Sequence, residues 1–191
     1  MKRLALFASG SGTNVENLIH YFAKSNQAEV SLILCNKPGA FVIQRAENHK
    51  IPILVFNRNQ FYESKEVLET LIAYKIDVLI LAGFLWLVPN DILQAFPQSI
   101  INIHPALLPK YGGKGMYGDK VHEAVIQNRE SESGITIHLI DEQYDQGDNL
   151  FQVTCQVFPN DTPQSLAEKI HALEYAHYPR VIDEYIRESL D

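Results

Sequence analysis

The 191-residue sequence predicts an α/β fold, with an open, mostly parallel sheet, helices on both faces and an antiparallel C-terminal extension. Three observations carry that expectation. Short β-branched apolar runs alternate with helical patterns from the N-terminus to about residue 104, the mark of βαβ units. A glycine-bearing stretch, "ASGSGTN" (8–14), stands between the first run and the first helical pattern. After residue 130 the runs alternate strictly between apolar and polar residues, as half-exposed antiparallel strands do.

The elements follow in order. "RLALFA" (3–8) is the first strand, and a helix begins near Val15. "EVSLILC" (29–35) precedes the helical "AFVIQRAENHK" (40–50), and "ILVF" (53–56) precedes "YESKEVLETLIAYK" (62–75). "DVLILAG" (77–83), the helical "NDILQAF" (90–96) and "SIINIH" (99–104) complete the parallel part, which is Rossmann-like. "GITIHLID" (134–141) and "NLFQVTCQVF" (149–158) form the antiparallel extension; Phe151, Val153, Cys155 and Val157 oppose Gln152, Thr154 and Gln156. A helix starts after "DTP" (161–163), with Thr162 at the N-cap and Pro163 first inside. Pro179 should kink or divide it. Without repeats or low-complexity tracts, residues 1–191 read as a single domain.

Composition narrows the classes. With 46% hydrophobic and 20% charged residues, the chain reads as an ordinary soluble globular protein. Cys35 and Cys155 lie in apolar runs and read as buried thiols in a reducing, cytoplasmic setting. The apolar run of "MKRLALFASGSG" is too short for a secretory signal, and none approaches the roughly 18 residues of a membrane span. A net charge of −7 speaks against a nucleic-acid partner.

In the glycine loop, Gly10 and Gly12 permit a sharp turn and close approach of the backbone to a ligand. Thr13 or Asn14 can cap the helix, whose free N–H groups attract an anion. The loop serves equally as a tight strand-to-helix turn. A dinucleotide fingerprint would want glycine where Val15 stands and an acid where Cys35-Asn36 stands; a Walker loop would want a lysine. A single phosphate fits better.

"INIHPALLPKYGG" (101–113) is the second candidate. In a strand, Asn102 and His104 share a face while Ile101 and Ile103 face a core. Pro105 ends the run, so an amide and an imidazole stand together at a strand's carboxyl end, where open α/β sheets bind ligands. The third is "IDEQYDQGDN" (140–149), holding Asp141, Glu142, Asp145 and Asp148. It reads either as a solvated hairpin tip or as the source of a carboxylate that meets His104 and sets its tautomer. It lacks the flanking helices and closing Glu of a calcium loop. His138 either orients a loop or is a satisfied core histidine, and His122 follows a mobile-looking glycine-rich loop. Glu174 and His177 have an i,i+3 metal spacing, but there is no second Glu-x-x-His and neither cysteine pairs with them, so no metal site is expected in this chain.

With these stretches together, the chain resembles the phosphoribosylglycinamide formyltransferase family, folate-dependent enzymes of purine biosynthesis, over roughly residues 2–187. "SGSGTN" (9–14) is similar to the family's substrate-phosphate loop, and "CNKPGAFVIQRA" (35–46) and "DVLILAGFLWLV" (77–88) to its second and fourth strands with their turns. "INIHPALLPKY" (101–111) is similar to the family signature, and "GITIHLIDEQYDQGD" (134–148) to the hairpin carrying its aspartate. The resemblance implies a catalytic trio of Asn102, His104 and Asp145, since Asp145 keeps the spacing of seven from His138. It implies substrate binding by Gly10, Ser11, Gly12, Thr13, Asn14 and Glu174. It further implies folate binding by Lys65, Leu85, Trp86, Leu87, Val88 and Asn102. Departures are "GGKGMYGDK" (112–120), which looks like an insertion, Trp86 at a position often polar or basic, and Gln146 in place of a glycine.

The implied reaction moves a formyl group from 10-formyltetrahydrofolate, a co-substrate, to the amine of glycinamide ribonucleotide. Asn102 and a protonated His104 suit a developing oxyanion, and His104 suits protonation of the departing nitrogen. No metal or covalent intermediate is required. The implied partners are small molecules only, without membrane or nucleic acid, in a monomer or homodimer. Rival readings are a formyltetrahydrofolate deformylase, an amino-sugar nucleotide formyltransferase or a non-catalytic nucleotide-binding module.

Overall fold

Alternation along the first strand sets the architecture. In β1 (Lys2–Ala8), Leu4, Leu6 and Ala8 pack into one apolar cluster while Ala5 and Phe7 pack into the other. Each cluster needs its own helical cover, so β1 lies in the middle layer. The computed structural model describes residues 1–140 and 147–189. Its strands are β1, β2 (Ala28–Cys35), β3 (Ile53–Val55), β4 (Val78–Leu81), β5 (Ile100–His104), β6 (Glu132–Leu139) and β7 (Asn149–Gln156). They form one sheet of seven strands in the order β3-β2-β1-β4-β5-β6-β7. Pairing is parallel from β3 to β5 and antiparallel for β5–β6 and β6–β7. This is the expected Rossmann-like arrangement with its antiparallel extension. The order reverses between β1 and β4, so the ligand crevice belongs outside their carboxyl ends.

Helices α1 (Thr13–Phe22), α2 (Val42–Asn48), α6 (Asp119–Gln127) and α7 (Pro163–Ser189) contribute their buried residues to the Leu4 side. On the Phe7 side lie α3 (Arg58–Tyr62), α4 (Glu66–Ala73) and α5 (Asn90–Ala95).

Three expectations need correction. The helix expected over 62–75 is shorter, running as α4 only from Glu66 after Lys65 turns left-handed (φ 59°), and a separate short helix, α3, capped by an Asn57–Gln60 capping box, precedes it. Helix α6 was not anticipated; the glycines before it hid its Val121/Val125 stripe. Pro179 neither divides nor ends α7, which runs unbroken as a helix. A proline leaves the carbonyl four residues back without its donor. Here that carbonyl is Tyr175 O, and the Asn17 side chain of α1 donates to it at 3.0 Å. Thr162 caps α7 as expected, its Oγ1 accepting from Ser165 N at 3.2 Å.

The turn after β5 is held from the extension. Thr136 Oγ1 donates to Ala106 O (2.7 Å) and accepts from Leu108 N (3.0 Å) and Gln152 Nε2 (2.8 Å). Gly134 permits this closeness: a Cβ there would stand 2.0 Å from Val153 O and 2.7 Å from Leu107 Cδ2. Gly134→Ala should therefore cost about 3 kcal/mol of stability by overpacking. Urea unfolding measures it; a loss below about 0.5 kcal/mol would show that the hairpin absorbs a methyl.

Candidate functional site

A cavity of about 900 Å³ opens where the strand order reverses. Its walls are residues 9–14 after β1, 81–88 after β4, 102–105 at the end of β5, 113–120 before α6, and the side chains of His122, Ile140, His171 and Glu174.

The glycine loop is tied to the neighbouring turn by Ser9, whose N donates to Gly83 O (3.0 Å) and whose Oγ accepts from Leu85 N (3.1 Å). Neither Thr13 nor Asn14 caps α1. The N-cap is Gly12 (φ 72°), without a side-chain cap, and the first intrahelical bond is Glu16 N to Gly12 O. The amides of the first turn thus meet the cavity uncapped, with the helix dipole behind them. Gly12 is required on a second count: a Cβ there would lie 2.6 Å from Val42 Cγ2. A larger residue would drive the loop off α2 rather than fill the anion position.

Beside that helix end stand two buried polar atoms without a hydrogen-bond partner among the described residues, Asn14 Oδ1 and His122 Nδ1. Asn14 Nδ2 donates to Glu174 Oε2 at 2.8 Å. Glu174 is buried on α7, and burial foremost raises its carboxyl above the usual range, against the Asn14 hydrogen bond and the His171 charge. His122 is held below the usual histidine range, by burial first and then by His171, against Asp119. A helix turn beyond Glu174, buried Tyr178 sets α7 against the sheet, its Oη within 2.9 Å of Leu81 O and 3.1 Å of Ile101 O. His122 and His171, absent from the sequence-level site, belong to this wall.

At the centre, Asn102 and His104 end β5 side by side, as their spacing implies. Asn102 lies across from His138, with its Nδ2 donating to His138 Nε2 at 3.0 Å. His138 Nδ1–H donates to Leu139 O at 2.9 Å, which fixes the neutral tautomer that accepts at Nε2. His138 is therefore a satisfied core histidine that orients the Asn102 amide. His104 is buried, and its Nε2 donates to Tyr111 O at 2.7 Å. Asp141 and Asp145 lie outside the described residues; Ile140, just before them, is in the cavity wall.

The third wall is backbone over aromatic rings. Leu85, Trp86, Leu87 and Val88 all line the cavity. Beneath them Phe84 packs on Phe7 (5.2 Å) and Trp86 on Phe61 (6.0 Å), and Tyr62 Oη donates to Leu87 O (2.9 Å). Lys65 is exposed and outside the wall. The cation that the structure sets against this turn is Arg58, its guanidinium 5.1 Å from the Trp86 ring centre and 5.5 Å from that of Tyr62. No signal in the sequence links Arg58 to Trp86.

The comparisons agree with this layout. The formyl transferase family model matches residues 2–182. A chloroplastic phosphoribosylglycinamide formyltransferase of Arabidopsis thaliana is 38% identical over 99% of this chain and 67% of its own length. The Bacillus subtilis (strain 168) phosphoribosylglycinamide formyltransferase is 35% identical over 97% of this chain and 95% of its own. The crystal structure of glycinamide ribonucleotide transformylase 1 from Geobacillus kaustophilus superposes with a TM-score of 0.88 at 36% identity, covering 97% and 99% of the two chains. With the family model matched over residues 2–182 and relatives 35–38% identical over nearly all of it, the chain belongs to the formyl transferase family.

Proposed function

We propose that this chain, as one domain over residues 1–191, transfers the formyl group of 10-formyltetrahydrofolate to the amine of glycinamide ribonucleotide in purine biosynthesis. The observation that carries the reading is one cavity joining an uncapped helix N-terminus to the Asn102–His104 pair and an exposed backbone turn. A substrate phosphate sits at the α1 amides of Gly12, Thr13 and Asn14, with Gly10 and Ser11 giving backbone room. Asn14 and Glu174 face its ribose hydroxyls. The backbone of Leu85–Val88 reads the edge of the folate ring. When bound, the folate supplies the formyl group on its N10. The Asn102 amide stabilises the negative charge that develops on the formyl oxygen as the amine attacks. His104 protonates the departing nitrogen once its Nε2–H exchanges the Tyr111 carbonyl for that acceptor, and the proton shed by the attacking amine passes through solvent to restore the histidine.

Incubation with 10-formyltetrahydrofolate and glycinamide ribonucleotide, an amino-sugar nucleotide or water alone, followed by released tetrahydrofolate, tests the reading. Turnover with the ribonucleotide is expected; turnover with only water or only the amino sugar would replace it.

Two further outcomes follow. Arg58 is the cation that meets the carboxylates of the folate tail, so Arg58→Ala should raise the folate KM about fivefold at low salt and leave kcat unchanged. An equal effect on an analogue without tail carboxylates would remove Arg58 from that role. For Glu174, burial raises the folded carboxyl above 4.5, so the folded state holds its proton more tightly than the unfolded chain. Stability is lost as pH rises from 4.5 through the folded value, and the deficit is complete once both states are ionised. Glu174→Gln should raise Tm at alkaline pH by about 2–4 °C while raising the ribonucleotide KM. A lowered Tm there would show that the ionised carboxylate stabilises the fold.

A further inference from the structure

Away from the cavity, Glu16, His20 and His49 bring three metal-ligating atoms within 4.8 Å of one another. Glu16 and His20 are four residues apart and share a face of α1, and His49 is the C-cap residue of α2. His49 Nε2 lies 3.5 Å from Glu16 Oε1, and the His20 and His49 rings meet edge to face with centres 5.0 Å apart. We propose that these side chains form a binding site for one late first-row divalent cation, Zn²⁺ among them, that clips α1 to α2.

The donor set argues the ion class. Two imidazoles and one carboxylate suit Zn²⁺, Co²⁺, Ni²⁺ or Cu²⁺, whereas Mg²⁺ and Ca²⁺ want oxygen ligands. Around tetrahedral zinc, bonds of about 2.0–2.1 Å put neighbouring donors roughly 3.4 Å apart. The Glu16–His49 edge already has nearly that length. His20 is exposed, so rotation of its side chain closes the triangle without moving backbone, and solvent completes the shell. Glu16 divides its oxygens: Oε2 takes the Arg45 guanidinium and Oε1 faces His49. Oε1 is therefore the oxygen turned toward the two imidazoles, while Oε2 stays with the guanidinium. Arg45 also donates from Nε to Ser11 O at 2.8 Å. The clip would therefore brace the underside of the glycine loop. The adjacent guanidinium weakens the site by repulsion, which makes it an exchangeable site rather than a permanent one.

The test uses the untagged full chain. Zn²⁺ titrated by calorimetry should bind at one equivalent and raise Tm, and Co²⁺ should show visible absorption from nitrogen and oxygen ligands. Both His20→Gln and His49→Ala should weaken Zn²⁺ binding by roughly tenfold to a hundredfold and abolish its effect on Tm. His20→Gln alters an exposed side chain, so it remains readable even if His49→Ala unfolds. Absence of Zn²⁺ binding, or binding unchanged in His20→Gln, would overturn the proposal; the second outcome would place the ion elsewhere, such as at His122 and His171.

Discussion

Asn102→Ala should lower kcat by about a hundredfold to a thousandfold while leaving KM for both substrates within a few-fold of wild type. The amide is aimed before substrate arrives: its Nδ2 is bonded to His138 Nε2, and His138 is fixed through Leu139 O. A donor that needs no reorganisation as charge develops stabilises the transition state more than the ground state. Loss of one such donor typically costs about 2.7–4 kcal/mol of barrier. The signature is thus a fall in kcat with little change in binding. Stability should fall by about 1–3 kcal/mol as well, because the change removes a hydrogen bond to the buried His138 ring, so the kinetics are read below the unfolding range. Steady-state kinetics with both substrates varied gives the answer. A large rise in KM at unchanged kcat would make Asn102 a binding residue only.

What the sequence could show divides along local and non-local lines. The period-two runs gave the strands, and the i,i+2 spacing put Asn102 and His104 on one face because that relation depends only on strand geometry. The break between α3 and α4 was hidden, since a lysine rather than a glycine adopts the left-handed turn at residue 65. Contacts between distant segments were equally hidden. Asn14 and Glu174 are 160 residues apart, and Arg58 reaches Trp86 only because β4 lies inside the sheet. His122 was suspected but could not be placed, because its position in the wall depends on α6. For Gly12 the sequence suggested only a turn and room for a ligand; the crowding by Val42 comes from a helix that the loop's own sequence does not mention.

Asp145→Asn should reduce kcat/KM at pH 7.5 by on the order of a hundredfold or more, and Asp141→Asn should do much less. Both residues lie outside the described part of the chain, so the choice of Asp145 over Asp141 rests on what the family resemblance implies, together with the chemistry asked of a carboxylate there. Ile140 lines the cavity and its N donates to Ile100 O at 2.9 Å, so the chain leaves the described region at the pocket wall. Asp145 is five residues further along the sequence than Ile140, a reach of at most about 18 Å. That is ample to return a carboxylate toward the end of β5. His104 Nε2 meets Tyr111 O, and a carboxylate that reaches this imidazole would hold its ring in place as the acid. The acid must carry a proton to give, while the substrate amine must be neutral to attack. Those opposed needs give a bell-shaped pH profile for kcat/KM, and removing the charge should move its alkaline limb to lower pH. Parallel profiles for wild type, Asp145→Asn and Asp141→Asn separate the two carboxylates. A larger loss in Asp141→Asn, or an unmoved limb in Asp145→Asn, would reassign the partner of His104.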